Sequence, residues 1–235
     1  MNRIPKLACT TIVPDTWIHG LGRFLQEDPA RFNAGPNFYA YVGNSPISYL
    51  DPFGLDKYVL IVGQSGLGEH NVGQAFQLAA LTEAADLRAA GNDVTIVNAS
   101  SVSDLNSALV NSGNIDGGVE YFGHSSYDRL YIGENPGAGT NLTATNVSDL
   151  SNAHLGKNAT IALYGCFAGS GGDLSIAQMI ANQLNRKVTA FPNSTFFAGT
   201  KCPKNSRPSD RAPSKVPVRV CQQGGVGPLT FYPKR

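Results

Sequence analysis

Tyr58-Val59-Leu60-Ile61-Val62 is an unbroken apolar run with no alternating polar face. A strand written this way must be buried on both sides, which is the condition of a strand inside a parallel sheet covered by helices. The residues that follow fit that reading. A loop spans Gly63-Gln64-Ser65-Gly66-Leu67-Gly68. Residues 72–90 then place Val72, Ala75, Phe76, Ala79 and Ala80 at helical spacing and end at Gly91. The same alternation repeats down the chain. Strands are expected at 94–97, 119–122, 160–164 and 188–191, with an added strand at 130–132. Helices are expected at 104–111, capped by Ser103 and closed by Gly113, at 146–152 and at 173–185. Strand alternating with helix implies an α/β domain built on a mainly parallel sheet.

The 235-residue length allows one large or two small domains, and 42% hydrophobic residues support a real core. No apolar run approaches the roughly 20 residues that a membrane span needs. No signal peptide is expected at the head, where Lys6 precedes Leu7-Ala8-Cys9 without an apolar stretch. Composition changes near residue 56. Residues 1–55 are rich in Gly, Pro and Asn, with a strand expected at 38–42 and turn clusters at Asn44-Ser45-Pro46 and Asp51-Pro52-Phe53-Gly54-Leu55. A block this short and irregular buries little on its own.

Net charge is +1, unevenly spread: residues 201–235 carry eight Lys/Arg and a single acid, Asp210. This stretch reads as a solvated, proline-broken basic end. The alternative is contact with nucleic acid or an acidic partner, although no interleaved aromatics suggest base stacking and no nucleic-acid partner is expected. Of the four cysteines, Cys9 lies in the head, while Cys202 and Cys221 flank a Pro/Lys/Arg/Ser loop and are able to pair in an oxidising space.

Cys166 stands apart. It follows the run 160–165, Thr-Ile-Ala-Leu-Tyr-Gly, and precedes the small-residue loop Phe167-Ala168-Gly169-Ser170-Gly171-Gly172. Forty-two residues earlier, Val119-Glu120-Tyr121-Phe122-Gly123 ends in His124. Open α/β sheets bind ligands at the carboxyl ends of their strands, and both residues are expected there. A thiol beside an imidazole is a nucleophile with its base, since the thiolate is the attacking species. The competing reading of each residue alone is a buried inert cysteine and a histidine packed on a strand end. Gly63–Gly68 lacks the spacing of a phosphate loop, and no Lys-Ser/Thr follows. Gly123-His124-Ser125-Ser126 lacks the second glycine of a serine nucleophile elbow. His70 and His154 have no partners at metal-ligand spacing, and His19 lies in the head.

Two resemblances add to this. Residues 22–55, from Gly22-Arg23-Phe24-Leu25-Gln26-Glu27-Asp28-Pro29 through Asn37-Phe38-Tyr39-Ala40-Tyr41-Val42-Gly43-Asn44-Ser45-Pro46 to Asp51-Pro52-Phe53-Gly54-Leu55, closely resemble the end of the Rhs/YD-repeat core. That resemblance implies a β-rich remnant over 1–55 and a C-terminal toxin starting at Asp56. It also points to a self-cleavage site after Leu55 served by Asp28 and Asp51. The family's Arg-Tyr-Tyr-Asp-Pro is replaced here by Asp15-Thr16-Trp17-Ile18-His19, which counts against self-cleavage in this chain.

Residues 57–200 resemble the caspase-like cysteine peptidases of clan CD, through Tyr121-Phe122-Gly123-His124-Ser125-Ser126 with Leu130-Tyr131-Ile132-Gly133, and through Ala162-Leu163-Tyr164-Gly165-Cys166-Phe167-Ala168-Gly169. Ser125 stands where that family usually has Gly. The resemblance implies a three-layer sandwich over 56–235, with a Pro/basic tail from about 201. His124 and Cys166 are the expected catalytic pair, and the backbone N–H groups of Ser125 and Cys166 form the oxyanion hole. Glu120 and Asp128 are candidates to orient the histidine or shape the pocket, against the plainer reading of solvation or structural pairing, and loops 192–200 and 125–129 are the candidate pocket loops.

Taken together, these readings point to an Rhs-family cysteine endopeptidase toxin, a secreted effector delivered to the cytoplasm of a target cell. Its expected partners are a protein substrate and an immunity protein, with no metal or other cofactor. The alternatives are a non-catalytic binding module on the same fold and a serine hydrolase using Ser125.

Overall fold

The computed structural model describes residues 17–18, 23–24, 55–65, 72–134, 139–198, 218–222 and 227–234. The chain divides into two compact units, Met1–Leu55 and Asp56–Arg235. In the first, β1 (Trp17–Ile18) pairs antiparallel with β2 (Arg23–Phe24), with Trp17 opposite Phe24. The strand expected at 38–42, Asp28 and Asp51 lie outside the described residues.

The second unit is a three-layer α/β sandwich on a six-stranded sheet. Its strands are β3 (Lys57–Gly63), β4 (Asp93–Ala99), β5 (Gly118–Phe122), β9 (Thr160–Tyr164), β10 (Val188–Ala190) and β13 (Leu229–Phe231), in the spatial order β13-β10-β9-β5-β3-β4. All neighbours are parallel except β13, which runs antiparallel on the edge of β10. The continuous apolar runs are the interior strands: Val59, Leu60, Ile61 and Val62 are all essentially inaccessible to solvent.

Odd and even residues of each strand serve different layers. Leu60, Val62, Val94 and Phe122 pack with Phe76, Ala79, Ala80 and Ala84 of α1 (Val72–Ala89), and with Val218. Val59, Ile61, Val119, Tyr121, Ile161 and Leu163 face the opposite layer, made by α2 (Val102–Asn111) and α3 (Ile176–Leu184). That two-sided burial is why these strands lack polar alternation.

A small antiparallel sheet sits apart from the main one: β6 (His124–Ser126), β7 (Arg129–Tyr131) and β8 (Asn141–Thr143). A two-stranded ribbon, β11 (Thr195–Ala198) with β12 (Arg219–Gln222), completes the unit.

Several local expectations need correction. The cap of α2 is Ser101, whose hydroxyl accepts from the Asp104 N–H; Ser103 lies inside the first turn. α3 begins three residues later than expected, because Gly171 and Gly172 have positive φ and a separate 3-10 turn (Gly172–Leu174) intervenes before the Ser175 cap. Residues 146–152 hold only a 3-10 turn (Val147–Asp149).

The stretch read as a solvated basic end is, where described, part of the domain. Phe231 of β13 is buried in the core. Arg219 of β12 pairs with Glu83 (3.4 Å) and Asp86 on α1, and the Val218 N–H donates to Thr82 Oγ1 at 2.9 Å. Cys221 is disulfide-bonded, whereas Cys166 is a free thiol.

Candidate active site

β5 and β9 are adjacent and parallel, with Phe122 opposite Tyr164 in register. Their rings stack at 4.7 Å with 23° between planes. His124 and Cys166 each come two residues later, so both leave the carboxyl edge of the sheet side by side. Neighbouring strands lie about 4.8 Å apart. The edge is one strand away from the β3/β5 boundary, where the strand order reverses, the usual place for ligands in such sheets.

The two backbones touch beyond the strands. Ser125 Oγ donates to the Cys166 carbonyl at 2.7 Å. A Cβ on Gly165 would run into Ser125 Oγ and lie 2.8 Å from the Gly123 carbonyl, so only glycine permits this approach. After Gly123 the chain turns into β6, and the His124 ring packs edge-on against Phe76 of α1 (5.0 Å, 88°). Tyr121 Oη braces the same turn from beneath, donating to the Tyr131 carbonyl at 2.8 Å and lying 3.4 Å from the His124 carbonyl. Burial pushes the Tyr121 phenol well above its ordinary range, so it stays protonated and available as a donor.

Cys166 is followed by backbone strain. Phe167 has φ +59°, an unusual conformation for a bulky residue that typically costs about 1–3 kcal/mol. Its N–H is fixed on the Asn193 carbonyl at 3.1 Å, and its carbonyl accepts from Ser170 N–H at 2.8 Å. The sharp turn leaves the cysteine partly accessible and the Phe167 ring exposed. The sulfur itself meets Thr195 at the start of β11. The Thr195 N–H points at Sγ from 3.3 Å, and Thr195 Oγ1 lies 3.4 Å away.

The remaining expected site residues fall in different places. Ser125 is buried in the middle of β6, a strand rather than a strand-to-helix elbow, and its hydroxyl is spent on the Cys166 carbonyl. Asp128 lies at the β6–β7 turn, where Ser126 Oγ donates to it (2.7 Å) and Arg129 holds it in an ion pair (2.6 Å). Those hydrogen bonds, Arg129's first, bring its carboxyl down to about 2. Glu120 is mid-strand on the α1 face, four residues before His124, or roughly 13 Å along an extended chain. Its Oε2 is buried with no hydrogen-bond partner among the described residues. Burial, with the nearby Glu83 charge, raises its carboxyl to about 8. Leu55 lies at the boundary between the two units. Of Gly63–Gly68 only residues 63–65 are described, and the Gln64 N–H is already taken by the Ala99 and Ile132 carbonyls. Among the described residues, no three His, Cys, Asp or Glu side chains form a metal-binding group, and no helix is long and apolar enough to cross a membrane.

The family described as Secreted effector protein SteB matches residues 134–223. No curated protein matches the sequence. The match is a similarity over 134–223 to a family of secreted effectors. It takes in β9, Cys166, α3, β10 and the β11–β12 ribbon, and begins ten residues after His124.

Thr195 is the residue that sequence reasoning did not single out. The loop 192–200 was expected to line the pocket. Nothing in its composition marks Thr195, because its contact with Cys166 arises only when β10 returns the chain beside β9.

Proposed function

We propose that the 56–235 unit is a cysteine endopeptidase and that the chain is a secreted toxin cassette of the Rhs type. The observation that carries this reading is the in-register emergence of His124 and Cys166 from adjacent parallel strands. In the reaction, the imidazole of His124 takes the thiol proton and Cys166 Sγ bonds to the scissile carbonyl carbon. The backbone N–H groups of Ser125 and Cys166 stabilise the resulting oxyanion, each such donor typically contributing about 3–4 kcal/mol. His124 returns the proton to the departing amine as the C–N bond breaks. Water then adds to the thioester, giving the second product as a carboxylic acid and restoring the thiol. No step calls for a metal.

The secreted-effector family match supports the effector half of the reading. The resemblance of residues 22–55 to an Rhs core supports delivery of the following unit into a target cell, with a protein as substrate and an immunity protein as the producer's safeguard. The serine-hydrolase alternative is disfavoured by the commitment of Ser125 Oγ. The test is a survey of new protein N-termini in a lysate treated with the full chain. Cleavage by wild type, weakened but retained in Ser125→Ala because that variant loses only the hydroxyl contact to the Cys166 carbonyl, with none by Cys166→Ala or His124→Ala, supports the proposal. Equal cleavage by Cys166→Ala overturns it.

A further inference from the structure

Thr195 makes an unusual set of contacts with one sulfur. Its amide N–H donates to Cys166 Sγ at 3.3 Å, its Oγ1 lies 3.4 Å from the same atom, and its carbonyl is 3.8 Å away. A thiol has one proton to give, and the carbonyl can only accept it. The amide can only donate, so it meets a sulfur lone pair. The hydroxyl can do either, and beside a thiolate it can only donate.

Thr195 is itself buried and held from two sides. It sits opposite Gln222 in the β11–β12 ribbon. β12 is in turn fastened to α1 through Arg219 with Glu83 and Asp86, and through Val218 with Thr82. Just ahead of it, Asn193 anchors the strained Phe167 next to the cysteine. The sulfur is therefore fixed by a different part of the chain from the one that supplies the imidazole.

We propose that Thr195 is the positioning residue of the nucleophile: its amide and hydroxyl hold Cys166 Sγ in one rotamer and donate to it as the thiolate forms. This rests on the cysteine-nucleophile reading above. Charge-assisted hydrogen bonds to an anion are about twice as strong as neutral ones, so the hydroxyl matters most in the deprotonated state. Thr195→Val keeps the size, the β-branch and the amide and removes only the hydroxyl. Thr195→Ser keeps the hydroxyl.

The experiment measures, on the full chain, the rate of Cys166 alkylation by iodoacetamide at neutral pH, with kcat and KM for peptide cleavage alongside. Thr195→Val is expected to slow alkylation about tenfold and to lower kcat by a similar factor with KM little changed. Thr195→Ser is expected to restore both. Alkylation of Thr195→Val at or above the wild-type rate, or failure of Thr195→Ser to restore it, overturns the proposal. Alkylation does not depend on peptide cleavage. A wild type that alkylates selectively at Cys166 yet cleaves nothing therefore removes the peptidase reading, while the Thr195 comparison still decides this one.

Discussion

Ser125 Oγ donates to the carbonyl of Cys166 at 2.7 Å, and the glycine before that cysteine leaves no room for a Cβ. The residue after the histidine is thus locked to the cysteine's own backbone. This contact joins the β5–β6 turn to the β9 turn, the two turns that carry the candidate catalytic groups.

Gly165→Ala tests that lock. The added methyl must displace Ser125 or the Gly123 carbonyl, and a misplacement of about 1 Å can cost 100-fold in rate. Peptide cleavage is expected to fall at least tenfold, while far-ultraviolet circular dichroism stays that of wild type. Unchanged kcat/KM in Gly165→Ala would show that the contact does not set the geometry.

Tyr121 carries the underside of the same turn. Tyr121→Phe removes its hydroxyl from the Tyr131 and His124 carbonyls. The Tyr131 carbonyl keeps its bond from Ser65 Oγ (2.7 Å), so the loss is partial. Stability measured by urea unfolding is expected to drop by about 1 kcal/mol.

Glu120 gives the unit a pH dependence of known sign. Its folded-state pKa, about 8, lies above the ordinary 4.5, so in the folded state the carboxyl keeps its proton while the unfolded chain has lost it. Its contribution is fully present below pH 4.5 and is lost as pH rises through 8. Thermal unfolding of wild type is expected to move to lower temperature between pH 5 and 8. Glu120→Gln is expected to remove much of that fall, by a margin on the order of a few kcal/mol at pH 8. An unchanged pH profile in Glu120→Gln would contradict the assignment.

Ser175 caps α3 and is wholly buried. Its hydroxyl accepts from the Gln178 N–H at 3.1 Å and donates to the Gly172 carbonyl at 2.7 Å. Ser175→Ala is expected to destabilise the unit by about 1–2 kcal/mol in denaturant unfolding.

The interior strands were readable because burial on both faces removes polar residues from them; the expected limits of 160–164 coincide with β9. The elements that escaped are those whose residues look like loop. His124-Ser125-Ser126 is a strand only because β7 pairs with it. Thr195–Ala198 and Arg219–Gln222 pair across a long stretch of sequence, and Leu229–Phe231 becomes a strand by adding to β10. Short edge and ribbon strands take their structure from partners, which local pattern cannot supply. The same holds for the site. His124 and Cys166 were visible as residues placed just past apolar runs. Thr195 is an ordinary threonine until the sheet brings β10 beside β9.

The most direct test of the nucleophile is the covalent intermediate. A rapid acid quench of the full chain during turnover of a cleaved peptide, followed by digestion and mass spectrometry, reads which side chain carries the acyl group. The expected result is a thioester on Cys166 that accumulates in wild type and is absent in Cys166→Ala, which also loses turnover. An acyl group on Ser125, or continued turnover by Cys166→Ala, would contradict it.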